Sequence, residues 1–132
     1  MPFRFVWRDA EQTAMQYIAD GLWDWRDYHA CARASTFSMH RHPHPVDAVI
    51  DLRGGRRERL PGGATAHVRS FGKRLSPALS GRVIVIGCPA SDREALGVTA
   101  EGTLPVVDGV AYFVDDDAQA DALLARWRSE ET

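Results

Sequence analysis

The sequence predicts an α/β protein with one domain over residues 1–132 and a mixed five-stranded sheet. Parallel central strands, an N-terminal β-hairpin and about four helices complete the expected fold. Short apolar stretches alternate with amphipathic helical segments along the chain, as in βαβ units. Val46–Leu75 shows half of such a unit: the strand Val46–Asp51, a Gly/Arg-rich loop and the helix Ala64–Leu75. With 132 residues, the chain is long enough to bury one core.

The N-terminal third predicts a hairpin followed by a helix. In Phe3–Trp7, aromatic residues alternate with other residue types, which is typical of a half-buried strand. Thr13–Ala19 follows a polar turn and predicts the second, antiparallel strand. A helix is expected from Asp24, a suitable N-cap, until Pro43 and Pro45 interrupt it. Its predicted buried face contains Trp25, Tyr28, Ala32 and Met39.

The middle of the chain predicts a central strand between two helices. The first of these helices places four apolar residues on one stripe and ends before Ser76-Pro77. These four residues are Ala64, Val68, Phe71 and Leu75. Arg82–Ile86 is an apolar run typical of a strand that is buried on both faces. Ser91–Glu94 has the capping-box pattern and is expected to open a short helix that ends at Gly97.

The C-terminal third predicts a loop, one strand and one helix. Thr99–Thr103 is expected to be a loop, and Asp108-Gly109 is typical of a tight hairpin turn. Val110–Val114 is the fifth expected strand. The negative charge of Asp115–Asp117 favours the start of a final helix. The resulting order, ββαβαβαβα, indicates parallel middle strands with a hairpin at one edge.

Composition argues against nucleic-acid binding and membrane insertion and indicates the cellular location. The net charge of −2 gives no general attraction to nucleic acid, and the longest wholly apolar run, Val83–Ile86, is too short for membrane insertion. The two cysteines, Cys31 and Cys88, do not form a disulfide framework, and the N-terminal residues lack the apolar stretch of a signal peptide. We therefore expect a cytoplasmic protein.

A ligand site is predicted where the central strands end. Asp51, Arg53, Gly62, Gly63 and Gly87 follow strands or precede a helix, and the carboxyl ends of parallel strands meet at one edge of the sheet. Arginines in the loop and accessible backbone N–H groups at the glycines favour a small polar or anionic ligand. The alternative is a solvated basic loop whose glycines only make a turn. No cofactor is expected.

Two other groups of residues have a possible chemical role. Cys88, with Arg93 five residues later, resembles the active loop of rhodanese-like sulfurtransferases, although Ser91 stands where a loop glycine is common. A packed structural cysteine is the alternative. His40, His42 and His44 alternate near Asp47, but alternating side chains on an extended chain point to opposite sides, so no metal site is expected.

Several motifs together resemble SpoIIAA-like proteins of the STAS superfamily, named for sulfate transporters and anti-sigma-factor antagonists. The resemblance covers nearly the whole chain and begins with Gly21–Tyr28, which is similar to the Gly-x-Trp-Thr-Trp-x-x-Tyr opening of the first helix. The other matching segments are His44–Asp47, Ile50–Leu52, Leu60–Ala64, Gly81–Gly87 and Phe113–Asp115. The resemblance implies a regulatory or ligand-binding module that is not an enzyme.

One departure from the family pattern concerns regulation. Antagonists of this superfamily carry a phosphorylated serine before the second helix, whereas this chain has Pro61–Ala64 there and its nearest hydroxyl is on Thr65. Phosphorylation of the antagonist type is therefore not expected. A protein partner remains an alternative to the small ligand. A further alternative is a structural dimerisation module, with the hairpin or the Trp-rich helix as the interface of a homodimer.

Overall fold

The computed structural model describes residues 2–39, 43–55, 59–71, 78–107 and 109–130. The six strands in this part of the chain are β1 (Phe3–Trp7), β2 (Ala14–Ala19), β3 (Val46–Asp51), β4 (Leu79–Ile86), β5 (Thr103–Val106) and β6 (Gly109–Val114). The four helices are α1 (Trp25–Met39), α2 (Ala64–Arg69), α3 (Ala90–Leu96) and α4 (Asp117–Glu130). The α/β class and the four helices are confirmed.

The strands form one mixed sheet in the order β1-β2-β3-β4-β6-β5. β1 and β2 make the expected antiparallel hairpin, with Phe5 opposite Tyr17. β2, β3, β4 and β6 are parallel neighbours, and Ile50 of β3 lies opposite Val85 of β4. The expected parallel arrangement of the middle strands is confirmed, and Val46–Asp51 pairs directly with β4.

The prediction of five strands is wrong, because Thr103–Val106 forms an additional strand, β5, of which only Thr103 belonged to the expected loop Thr99–Thr103. β5 pairs antiparallel with β6, and Val106 lies opposite Gly109. Pro105 weakened the strand signal because proline cannot donate to a sheet, but an edge strand tolerates it. The hairpin signal was correct in place, although Asp108 lies outside the described residues.

Two other boundaries differ from expectation. α2 ends at Arg69, where Ser70 N–H donates to the His67 carbonyl at 3.2 Å and Phe71 N–H donates to the Val68 carbonyl at 3.1 Å, so the helix is shorter than predicted. Leu75, the expected end, lies outside the described residues. β4 begins at Leu79, three residues before the expected Arg82. Its weakly apolar start lacked the pattern of a buried strand.

The two faces of the sheet carry cores of different size. The larger core lies under α1, α2 and α3 and contains many aromatic rings from β1, β2 and α1. On the opposite face, α4 packs on a smaller cluster. That cluster contains Ala14, Val49, Ile84, Ile86, Ala120, Leu124 and Trp127. In the part of the chain that the structure describes, no helix is long and apolar enough to cross a membrane.

Candidate functional site

Asp51 and Arg53 bind each other at the end of β3. The Asp51 carboxylate accepts hydrogen bonds from Arg53 N and Nε at 3.0 Å and from Arg53 Nη2 at 2.9 Å. Gln16 Nε2, from β2, donates a further bond at 3.0 Å. Burial alone would raise the pKa of Asp51, but the hydrogen bonds and the charge of Arg53 bring it below its ordinary value. The carboxylate is therefore charged and saturated with internal donors.

The same pair holds the N-terminus of α4 against the sheet. Arg53 Nη2 lies 3.0 Å from Asp117 Oδ2, and Arg8 Nη2 lies 3.1 Å from Asp117 Oδ1. Arg8 also pairs with Asp121 at 2.9 Å. The hydrogen bond from Arg53 is the largest cause that lowers the pKa of Asp117. Arg53 and Asp51 thus link β3 to α4.

Gly87 makes room for the Arg53 side chain. Its φ of +76° lies in the left-handed region, and a Cβ atom there would be 2.5 Å from Arg53 Cγ. Gly87 also lines a small cavity of about 20 Å³ together with Arg59 and Leu60. This glycine therefore lies between the Asp51–Arg53 pair and the loop that follows.

Gly62 and Gly63 lie in a second group, around an open depression. This depression has a volume of about 630 Å³ and is lined by residues 59–66 together with Asp92. Gly63 adopts a φ of +82° as the N-cap of α2. The structure thus divides the five predicted residues: Arg53 binds Asp51 and lies against Gly87, while Gly62 and Gly63 line the depression.

Asp92 is a lining residue that sequence reasoning did not assign to the site. Only 6% of its surface is exposed, and its Oδ2 accepts a hydrogen bond from Leu60 N at 2.8 Å. The sequence signal was the capping-box pattern, but α3 begins at Ala90 with Pro89 as its N-cap and no side-chain cap. Asp92 instead fixes the loop before α2.

Stacked rings from α1 and α2 pack against the same loop. Trp25 Nε1 donates to the Pro61 carbonyl at 3.0 Å, and the His67 ring lies parallel to the indole with centroids 4.9 Å apart. His29 Nε2 and His67 Nδ1 are 2.8 Å apart, so one ring donates to the other. These contacts join α1, α2 and the loop. Both histidines are half-buried.

The depression has an exposed cation at its rim. Arg59 is exposed, and it makes no ion pair with any other described residue. The ion pairs formed by Arg53 contrast with this, since its guanidinium contacts two carboxylates. A ligand at this edge would therefore meet Arg59 rather than Arg53.

Cys88 and Arg93 are not arranged as a thiolate and its cation. Cys88 is buried, and burial, with the nearby charge of Asp92, raises the pKa of its thiol to about 12 despite Arg93. Arg93 Nη2 binds the Val114 carbonyl and Asp115 Oδ1, both at 3.1 Å. Its guanidinium carbon lies 5.9 Å from the centre of the Phe113 ring.

We expect both thiols to react slowly in the folded protein. Burial raises the pKa of Cys31 to about 11, and both cysteines are buried, so little thiolate is present or accessible at neutral pH. A chromogenic disulfide reagent should react with Cys88 mainly after denaturant is added, and Cys88→Ser should remove one of two titratable thiols. Rapid reaction of Cys88 under native conditions would contradict this and favour sulfur transfer.

The histidine segment is only partly described. His40 and His42 lie outside the described residues, and His44 Nδ1 is 3.3 Å from the Pro45 carbonyl. Asp47 pairs with Arg82 Nε at 2.9 Å and also accepts from Ser80. Within the described ranges, no group of three metal-binding side chains is present.

A second depression lies on the opposite face of the sheet and contains none of the predicted residues. It has a volume of about 530 Å³ and lies between α4 and the β5–β6 hairpin, with Tyr112 and Leu123 among its lining residues. At its rim, Arg126 Nε lies 3.8 Å from Glu130 Oε1.

Comparison with known proteins gives no family assignment. No family model matches the chain, and neither the curated proteins nor the solved structures contain a significant match.

Proposed function

We propose that this chain is a SpoIIAA-like module of the STAS superfamily that binds a small polar or anionic ligand and acts in regulation rather than catalysis. The motif resemblance and the mixed sheet with a parallel centre support this assignment. The observation that carries the ligand-binding role is the depression at the start of α2, which is lined by residues 59–66 and Asp92. The two free thiols fit a reducing, cytoplasmic setting.

The depression offers groups suited to a negatively charged ligand. Arg59 supplies an exposed cation, and Gly62 and Gly63 are exposed. Asp92, at the buried side, favours a ligand that also carries a hydroxyl or an amine. Asp92, Trp25 and Pro61 hold the loop in place, which reduces the entropy lost on binding.

We expect Arg59→Ala to abolish most anion binding at this depression. Charge-assisted hydrogen bonds contribute about 1.5–3 kcal/mol, so the variant should bind inorganic phosphate roughly 10- to 100-fold more weakly. Because binding costs offset much of the gain, the original affinity should be roughly millimolar. The amide chemical shifts of Gly62, Gly63 and Thr65 during a phosphate titration would measure the binding.

Arg126→Ala is the matched control, since Arg126 is an exposed arginine on the opposite face of the sheet. It should leave the phosphate titration unchanged. Repeating the titration at higher salt should weaken binding to the unmodified protein more than to Arg59→Ala. Shift changes that avoid residues 59–66, or that are equal in the two arginine variants, would contradict the site.

A further inference from the structure

β1 is an edge strand, and within the described residues only β2 pairs with it. The hydrogen bonds that flank the hairpin fix which backbone groups are open. Asp20 N donates to the Pro2 carbonyl at 2.7 Å, and Arg8 N donates to the Ala14 carbonyl at 2.9 Å. Bonded and non-bonded pairs alternate in an antiparallel ladder.

Because Pro2 and Arg8 bond to β2, the even-numbered residues between them also face β2 with their backbone groups. Phe5, at the centre of β1, therefore directs its N–H and C=O away from β2. These groups lie on the open side of the sheet, where another strand can bind them.

The open edge carries apolar side chains, and Arg4 is the one charged residue of β1. Phe5 and Trp7 are half-buried, and Val6 is 38% exposed. β1 contains no proline, and its register with β2 has no shift. The opposite edge differs, because Pro105 in β5 cannot donate a hydrogen bond.

We propose that β1 pairs with β1 of a second copy of this chain, antiparallel and around a two-fold axis at Phe5. The two Phe5 residues exchange their open N–H and C=O groups, and the two sheets become one. In this register Arg4 of each copy lies directly opposite Val6 of the other, on the face of the sheet that carries α4.

A second copy fits this edge better than an unrelated strand because the arrangement is self-complementary. A two-fold contact requires each surface patch to match itself. Centring on Phe5 satisfies this requirement, and it places the exposed cation Arg4 opposite an uncharged side chain rather than opposite its own equivalent. The proposal does not depend on the ligand-binding role.

Charge substitutions at Val6 test both the interface and its register. In the dimer, position 6 of each copy faces Arg4 of the other, which gives two such pairs. Val6→Glu makes both pairs oppositely charged, whereas Val6→Arg makes both pairs like-charged. Cross-strand charge pairs have modest energies, so the dimer dissociation constant should fall roughly 2- to 30-fold for Val6→Glu and rise by a similar factor for Val6→Arg. Sedimentation equilibrium over micromolar to millimolar concentrations measures the dimer dissociation constant of the unmodified protein and of both Val6 variants.

Val107 provides the matched control, because it is a 45% exposed valine next to the β5 edge. Val107→Glu and Val107→Arg should leave the dissociation constant unchanged. Circular dichroism melts should show that all four variants are folded. A wild-type protein that stays monomeric throughout, or a dimer equally stable with Glu and Arg at position 6, would overturn the proposal.

Discussion

Replacing Trp25 by alanine should lower the free energy of unfolding by about 3–5 kcal/mol, the usual cost of truncating a buried tryptophan. Only 5% of this residue is exposed. Its indole packs edge-on against Trp23, with ring centroids 5.1 Å apart, and face-to-face against His67. Alanine would leave a cavity between α1 and α2, and the Pro61 carbonyl would lose its donor at 3.0 Å. Urea unfolding followed by circular dichroism measures the change.

Two variants separate the contributions at this position. Trp25→Phe keeps a ring in the core but removes the indole N–H, and it should cost less than Trp25→Ala by at least about 1 kcal/mol. Phe37→Ala, on the same helix but 85% exposed, should change stability by no more than about 0.5 kcal/mol. A loss below about 1 kcal/mol for Trp25→Ala would mean that the aromatic core is not packed as described.

The sequence predicted the fold best where one periodic signal dominated. The buried face expected for the first helix is correct, since Trp25, Tyr28, Ala32 and Met39 are all buried. β3 and β4 were recognised because both contain runs rich in β-branched apolar residues. β5 was missed because its four residues include Pro105, although Asp108-Gly109 marked the hairpin turn that joins it to β6.

The candidate site was predicted less completely, because contacts between distant residues decide it. The sheet edge brings Asp51, Arg53 and Gly87 together as expected, but sequence could not show that Asp117 engages Arg53 from α4. Nor could it show that Asp92 reaches Leu60 across 32 positions instead of capping its own helix. The sequence shows which residues are charged, but it does not show which residue each of them pairs with.

Replacing Asp51 by alanine should lower the free energy of unfolding by about 2–3 kcal/mol at neutral pH. The change removes the acceptor of Arg53 and Gln16, whose amide is half-buried between β2 and β3. The loss stays below that of a fully buried ion pair because the Arg53 side chain is 37% exposed and can be hydrated. Asp115→Asn is the control: its carboxylate also pairs with an arginine but is 75% exposed, so the effect should be within about 0.5 kcal/mol.

The effect of Asp51 should also depend on pH, with a sign set by its lowered pKa. In the unfolded chain an aspartate titrates near about 3.9, so its folded-state pKa lies below that value. The stabilisation is complete above the unfolded pKa and is lost as the pH falls through the folded one. The stability difference between the unmodified protein and Asp51→Asn should therefore be largest near pH ~6 and shrink toward pH ~3. Urea unfolding at both pH values measures it, and a difference that stays constant would show that the Asp51 charge does not stabilise the link between β3 and α4.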